Sequence, residues 1–160
     1  MIVLVRHAES AADPATPANT WGLTPAGHRA AATLELPYGL RLAAGPEPKL
    51  QQTLAPHGPV HVDERFRESD SPDEWLGPDA FRQAVHDYFH DRPHPGWEPR
   101  TSVIARFDEA LEDGMAVCSG GRALSAVYAA RTDQDPWALW QTLTMPAFLT
   151  LDGPSLASKE

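Results

Sequence analysis

Cysteine is almost missing from this chain: Cys118 is the only one among 160 residues. A single thiol excludes an intramolecular disulfide framework and a multi-cysteine zinc site. Basic residues are scarce too, 13 Lys and Arg against 22 Asp and Glu, for a formal net charge of -9. That balance disfavours general attraction to nucleic acid or to an anionic membrane. It still leaves room for a local basic pocket around a small phosphorylated ligand. No apolar run approaches membrane-spanning length. The opening stretch Met1-Ile2-Val3-Leu4-Val5 ends at Arg6-His7-Ala8-Glu9 without a small-residue cleavage site, so it does not read as a secretory leader. A cytoplasmic protein is expected. Internal repeats and domain-separating linkers are lacking as well, and residues 1–160 are expected to form one domain. The hydrophobic fraction, 42%, is enough for a single core.

What the chain does contain is proline, 16 residues, about twice the usual share, which predicts many pinned loops. Between them, short apolar runs alternate with helical patterns. Strands are expected at Ile2 to Val5, Leu40 to Ala44, Val60 to Val62, Met115 to Cys118 and Ala147 to Leu151. Thr24-Pro25 reads as a cap and first turn opening a helix to about Leu34. Further helices are expected from Lys49 to Leu54, Asp79 to His90, Thr101 to Leu111, Arg122 to about Ala130, and Asp135 to Leu143. On the Thr101 to Leu111 helix, Val103, Ile104, Phe107 and Leu111 share a face. Alternating short strands and helices define an α/β fold, a three-layer α/β/α sandwich with a mainly parallel central sheet. Residues 69–100, rich in charge, proline and aromatics, are expected to form a lid or substrate-side insertion, and 153–160 a flexible tail.

Arg6 and His7 directly follow the first strand, and in such sheets ligands gather at the carboxyl ends of strands. An arginine there offers a fork for phosphate oxygens, and a histidine a nucleophilic nitrogen. The pair stands in the string Leu4-Val5-Arg6-His7-Ala8-Glu9-Ser10, followed by Leu23-Thr24-Pro25-Ala26-Gly27. With these motifs the sequence resembles the histidine phosphatase superfamily, which includes the cofactor-dependent phosphoglycerate mutases and many small phosphatases. Gly45-Pro46-Glu47-Pro48-Lys49-Leu50-Gln51-Gln52-Thr53 looks like that family's Ser-Pro-x-x-Arg-x-x-Gln-Thr segment. Phe66-Arg67-Glu68 resembles its Leu-x-Glu segment, and Val117-Cys118-Ser119-Gly120-Gly121 its Val-Ser-His-Gly-Gly. The motifs occur in family order over almost the whole chain.

The resemblance implies a phosphomonoesterase-like protein that acts on a small phosphorylated compound through a phosphohistidine, with no cofactor and no metal. Carried over by motif, His7 is the nucleophile and Glu68 the proton donor to the leaving group. Arg6, Lys49, Ser119 and Gly120 fall at phosphate-binding positions. Backbone N–H groups at the start of the Arg122 helix are expected to point toward the anion. Four positions depart from the pattern. Ser119 stands where the family has a second histidine, Lys49 where it has a second arginine, Gly45 where it has a serine, and Asp13 near a frequent asparagine. A neutral hydroxyl lacks the charge of an imidazolium, and lysine is a point charge without the guanidinium fork. Losing one transition-state donor costs about 10²–10³ in rate, so weakened catalysis is expected. The alternative is a non-catalytic protein that binds a phosphorylated ligand or inorganic phosphate and regulates. Mutase activity ranks below both.

Other readings of these residues meet chemical objections. Ser119 lies on a strand-to-helix turn, but a nucleophile elbow needs glycine where Val117 stands and a later histidine, and the last one is His94. His86, His90 and His94 are spaced by four, but Pro93 and Pro95 break the helix before the third arrives, so no metal site is expected. Cys118 reads as a small buried residue. Trp21 and Trp75 are expected to border the pocket.

Overall fold

The computed structural model describes residues 1–151; the expected tail at 153–160 lies outside the described residues. Five strands form one sheet: β1 (Ile2–Arg6), β2 (Arg41–Ala44), β3 (Val60–Val62), β4 (Met115–Ser119) and β5 (Ala147–Leu151). Their order is β3-β2-β4-β1-β5. The first four run parallel, and β5 pairs antiparallel with β1 at the edge. Six α-helices flank the sheet: α1 (Pro25–Ala32), α2 (Pro48–Leu54), α3 (Pro78–Phe89), α4 (Arg100–Ala110), α5 (Gly121–Thr132) and α6 (Pro136–Thr142).

The period-two geometry of β1 explains the layering. Ile2 and Leu4 face one way, into a core with Phe66, Phe107, Val117, Leu124 and Val127, so α4 and α5 cover that side. Val3 and Val5 face the other way and meet Leu50 and Leu54 of α2, with Ala116 and Cys118 of β4. Every apolar residue of β1 is therefore fully buried, as a central parallel strand requires. A third cluster joins Val85, Tyr88 and Phe89 of α3 to Ala126 of α5, with Trp97, Trp137 and Trp140 against it. The 69–100 segment is thus docked through α3 on the α5–α6 side.

Local signals behave as their chemistry predicts. Thr24 caps α1, its Oγ1 accepting from the Gly27 N–H at 2.9 Å. Asp135 does the same for α6, accepting from Trp137 N–H at 3.1 Å. Beyond Leu54 the chain tightens into a 3-10 turn at Ala55–His57 that contains Pro56, which has no N–H to offer a continuing α-helix.

Candidate active site

The parallel register aligns the ends of β1 and β4, pairing Arg6 with Ser119. One residue further, His7 is only 8% exposed. Its Nδ1 lies 2.7 Å from the carbonyl oxygen of Ala8. A carbonyl only accepts, so Nδ1 carries the proton and Nε2 keeps its lone pair. Burial first, and then the Lys49 charge, push the His7 pKa down to about 4, against the pull of the Ala8 carbonyl and Glu68. His7 is therefore a neutral imidazole at pH 7 with one fixed tautomer.

The Gln-Thr pair of the α2 segment holds this loop in place. Thr53 Oγ1 accepts from the Ala8 N–H at 3.0 Å and donates to the Lys49 carbonyl at 2.7 Å. Gln52 Oε1 accepts from the Leu23 N–H at 2.8 Å. Lys49, on the first turn of α2, is buried; its ammonium donates to the Ala18 carbonyl at 3.2 Å and lies 5.4 Å from the Trp21 ring centre. Desolvation lowers its pKa, and the charges of Glu68 and Glu47 oppose that. Trp75 packs edge-on against Trp21 at 6.2 Å. Gly45 also has a steric cause: a Cβ there would come within 2.7 Å of the Phe66 carbonyl oxygen and Arg67 Cα, leaving no space for the family's serine. Asp13 remains in its own turn, exposed, accepting from Ala15 N–H at 2.9 Å.

Glu68 occupies the N-terminus of α5. Oε1 accepts from the Ser69 and Ala123 N–H groups, both at 2.7 Å, and Oε2 accepts from Arg122 N–H at 3.1 Å. The Arg122 guanidinium stands 4.0 Å away. Burial would raise the pKa of this carboxyl, but the Arg122 charge and the three N–H donors outweigh it and hold Glu68 below the usual range. One consequence corrects the sequence reading: the Arg122 and Ala123 N–H groups expected to face the anion are already donated to Glu68. Gly120, expected at a phosphate-binding position, has a visible reason to be glycine: a Cβ there would overlap the Glu68 carboxylate. Behind Glu68, Arg106 donates to the carbonyls of Arg65, Arg67 and Glu68 at 2.6, 2.9 and 3.2 Å and pairs with Glu98 at 2.8 Å.

Two charged groups here were not anticipated. Arg122 is 8% exposed, its guanidinium packed on Trp97 and Phe81 at 4.6 and 5.6 Å, with Nη2 reaching Ser71 Oγ at 3.4 Å. Glu47 is buried at the mouth of α2, where its Oε1 accepts from the Glu68 N–H at 3.0 Å. Arg6 donates from Nη1 to the Leu143 carbonyl. Ser119 is fully buried, and its hydroxyl has no hydrogen-bond partner among the described residues. Elsewhere, His86 and His90 stack at 4.1 Å and His94 lies 3.8 Å from Asp87, but no group of three metal-ligating side chains forms among the described residues. Burial pushes the Cys118 thiol up, consistent with an inert packed residue. No helix among the described residues is long and apolar enough to cross a membrane.

No protein-family model and no curated protein matches the chain. Solved structures do. A mycobacterial glucosyl-3-phosphoglycerate phosphatase, in complex with VO3, superposes with a TM-score of 0.65 at 18% identity, over 88% of this chain and 84% of that one. The protein TTHB049 from Thermus thermophilus gives 0.64 at 21% identity, over 84% and 85%. Rv3214 from Mycobacterium tuberculosis gives 0.62 at 20% identity, over 94% and 91%. The α/β sandwich is therefore the histidine-phosphatase fold, as the order of motifs implied. At these identities the likeness defines the fold and stops there.

Proposed function

We propose that this protein is a phosphomonoesterase-like enzyme of weakened activity that forms a phosphohistidine on His7 with a small phosphorylated compound. The observation that carries the reading is the His7 tautomer: with Nδ1–H committed to Ala8, Nε2 is a neutral nucleophile beside Lys49 and Arg6. In the first half-reaction Nε2 attacks phosphorus, the bond to the leaving oxygen breaks, and that oxygen takes a proton from the Glu68 carboxyl. Arg6 and Lys49 supply positive charge for the phosphoryl oxygens, since phosphoryl transfer depends mostly on positioning and charge stabilisation. Ser119 offers a hydroxyl where an imidazolium would give more. In the second half-reaction water attacks phosphorus, the P–N bond breaks, and the proton of that water passes to the Glu68 carboxylate. Inorganic phosphate leaves and His7 is regenerated. The mycobacterial neighbour is described as a phosphatase and has been seen with VO3 and with inorganic phosphate, which supports phosphate as the ligand class.

One observation favours the second reading, a non-catalytic binder of phosphorylated ligands. The Arg122 and Ala123 N–H groups at the start of α5 are spent on Glu68, so fewer donors remain for a transition state. Burst kinetics with an aryl phosphate, combined with acid-quench trapping of labelled enzyme, separate the two. The phosphatase reading expects a label on His7 that is absent from His7→Ala. Phosphate binding by calorimetry without any label supports the binder. Full activity in His7→Ala overturns the nucleophile assignment.

A further inference from the structure

The turn from β4 into α5 gathers the site residues along four consecutive positions. The Ser119 carbonyl accepts the His7 N–H at 3.4 Å. The Glu68 carboxylate fills the space that a Cβ at Gly120 would take. The Arg6 guanidinium lies over Gly121, where a Cβ would come within 3.0 Å of its Cζ and Nε. Arg122 is next, with its guanidinium 4.0 Å from Glu68. These contacts place Arg122 directly beside the groups that surround the nucleophile. Although only 8% exposed, it leaves much of its hydrogen-bonding capacity unused. The rings of Trp97 and Phe81 pack on the guanidinium at 4.6 and 5.6 Å, which fixes its position and takes up no N–H. Nη2 donates to Ser71 Oγ at 3.4 Å, while Nη1 is buried without a partner among the described residues. A desolvated guanidinium edge with no acceptor is costly. Phe81 is 38% exposed, so this aromatic enclosure reaches the surface.

We propose that Arg122 is a specificity residue that binds a second anionic group, carried by the leaving-group portion of the substrate. This rests on the phosphatase reading and deepens it by naming a substrate class: small phosphomonoesters whose leaving group bears its own negative charge. In that reading Glu68 meets the leaving oxygen. Whatever is bonded to that oxygen extends away from Glu68, and the guanidinium paired with Glu68 is that of Arg122. A planar guanidinium with a free edge suits a carboxylate, which can accept two parallel hydrogen bonds. Charge balance points the same way. In its proton-donating form Glu68 is a neutral acid, and Arg122 then lacks a counterion among the described residues. An anion on the ligand restores one. The roles of the other residues stay as they are: His7 Nε2 takes the phosphorus, Glu68 gives the proton, and Arg122 holds the far end of the substrate.

Meta- and para-carboxyphenyl phosphate, each set against its neutral carbamoyl counterpart, test this, because the members of a pair differ in charge and hardly in size. The wild type is expected to favour at least one carboxylate by about 10–100-fold in kcat/KM, the worth of a charged hydrogen bond, with the difference expressed mainly in KM. Arg122→Met should erase that preference. Arg122→Lys should keep part of it, since the charge stays and the fork is lost. A wild type that treats both members of each pair alike overturns the proposal, and that measurement needs no variant to fold. A preference that survives in folded Arg122→Met, with charged and neutral esters slowed equally, means a merely structural role and also overturns it. A wild type that labels His7 with none of these esters sinks the phosphatase reading, which is a separate failure. Calorimetry with the same esters as intact ligands then decides the Arg122 site by itself: tighter binding of a carboxylate that is lost in Arg122→Met upholds it, and equal affinity within each pair overturns it.

Discussion

The carboxylate of Glu68 lies where a side chain at position 120 would project, so Gly120 and Glu68 share one volume at the N-terminus of α5. The helix start receives its anion from within the protein. This arrangement satisfies the N–H groups of Arg122 and Ala123, fixes a negative charge beside Arg122, and turns an anion-binding helix end into a holder for a site residue.

Gly120→Ala should therefore expel the carboxylate. Loss of its charge-assisted hydrogen bonds is expected to destabilise the fold by about 2–3 kcal/mol, measured by urea unfolding. In a Glu68→Ala background there is nothing left to expel, and the same change should cost less than about 1 kcal/mol. Equal costs in the two backgrounds would show that Gly120 is required for some other reason.

Lys49 lowers the pKa of His7 and stands beside the proposed phosphoryl position. Lys49→Met should move the His7 titration upward from about 4, read from the imidazole proton shifts. It should also weaken inorganic phosphate binding in calorimetry at low ionic strength by roughly tenfold or more, the worth of a charged hydrogen bond. The sign of the stability effect follows from the depressed value. Between 6.5 and about 4 the unfolded chain binds more protons at this site than the folded one, so stability falls as pH falls through that window. Across that window the loss amounts to about 3 kcal/mol. His7→Gln should flatten this dependence.

Glu47 carries the opposite sign. Its folded pKa is raised, so the folded chain keeps a proton that the unfolded chain loses as pH rises above 4.5. Its contribution is present below that value and is lost as pH rises through the folded pKa. Glu47→Gln keeps the acceptor for the Glu68 N–H and has no proton to lose. Its stability relative to wild type should rise as the solution passes from acid to alkaline, by denaturant midpoints at several pH values. A difference that stays flat with pH would mean that folding leaves the Glu47 carboxyl unshifted.

The contrast between these residues shows what was legible in the sequence. His7 and Arg6 could be placed because an apolar run of strand length ends at them, and a parallel sheet puts strand ends together. Thr24 and Asp135 were legible because capping is local. Lys49 was legible through the segment around it, whose Gln52 and Thr53 bind the loop after β1. Glu47 belongs to that same segment, but at a helix mouth an acid reads as a cap, and nothing local says that it turns toward Glu68, 21 residues away. Arg122 reads as the first turn of a helix. Its burial depends on Phe81 and Trp97, supplied by a segment whose docking on α5 and α6 no periodicity reveals. The expected anion cradle at α5 failed for a similar reason. The N–H groups were correctly located, but their partner comes from position 68.

Ser119→His is the most discriminating change in the pocket. Ser119 pairs with Arg6 across the sheet, is fully buried, and carries a hydroxyl without a partner among the described residues. An imidazole there overfills the site, and a stability loss of about 1–3 kcal/mol is expected. Charged at mildly acidic pH, it would donate to a phosphoryl oxygen that now meets at best a hydroxyl. One such donor is worth up to about 10²-fold in rate, or roughly 2.7 kcal/mol. Lys49→Arg should give less, because the charge is already present and only the fork is gained. The variant should be assayed with an aryl phosphate, with and without His7→Ala, because the pocket acts as a unit. A gain that disappears in the His7→Ala background supports a weakened phosphatase. No gain, with phosphate still bound in calorimetry, makes the binding role the better account. A loss of activity in a folded Ser119→His protein would mean that Ser119 serves this pocket's own chemistry, and that its hydroxyl is a working donor in place of a missing histidine.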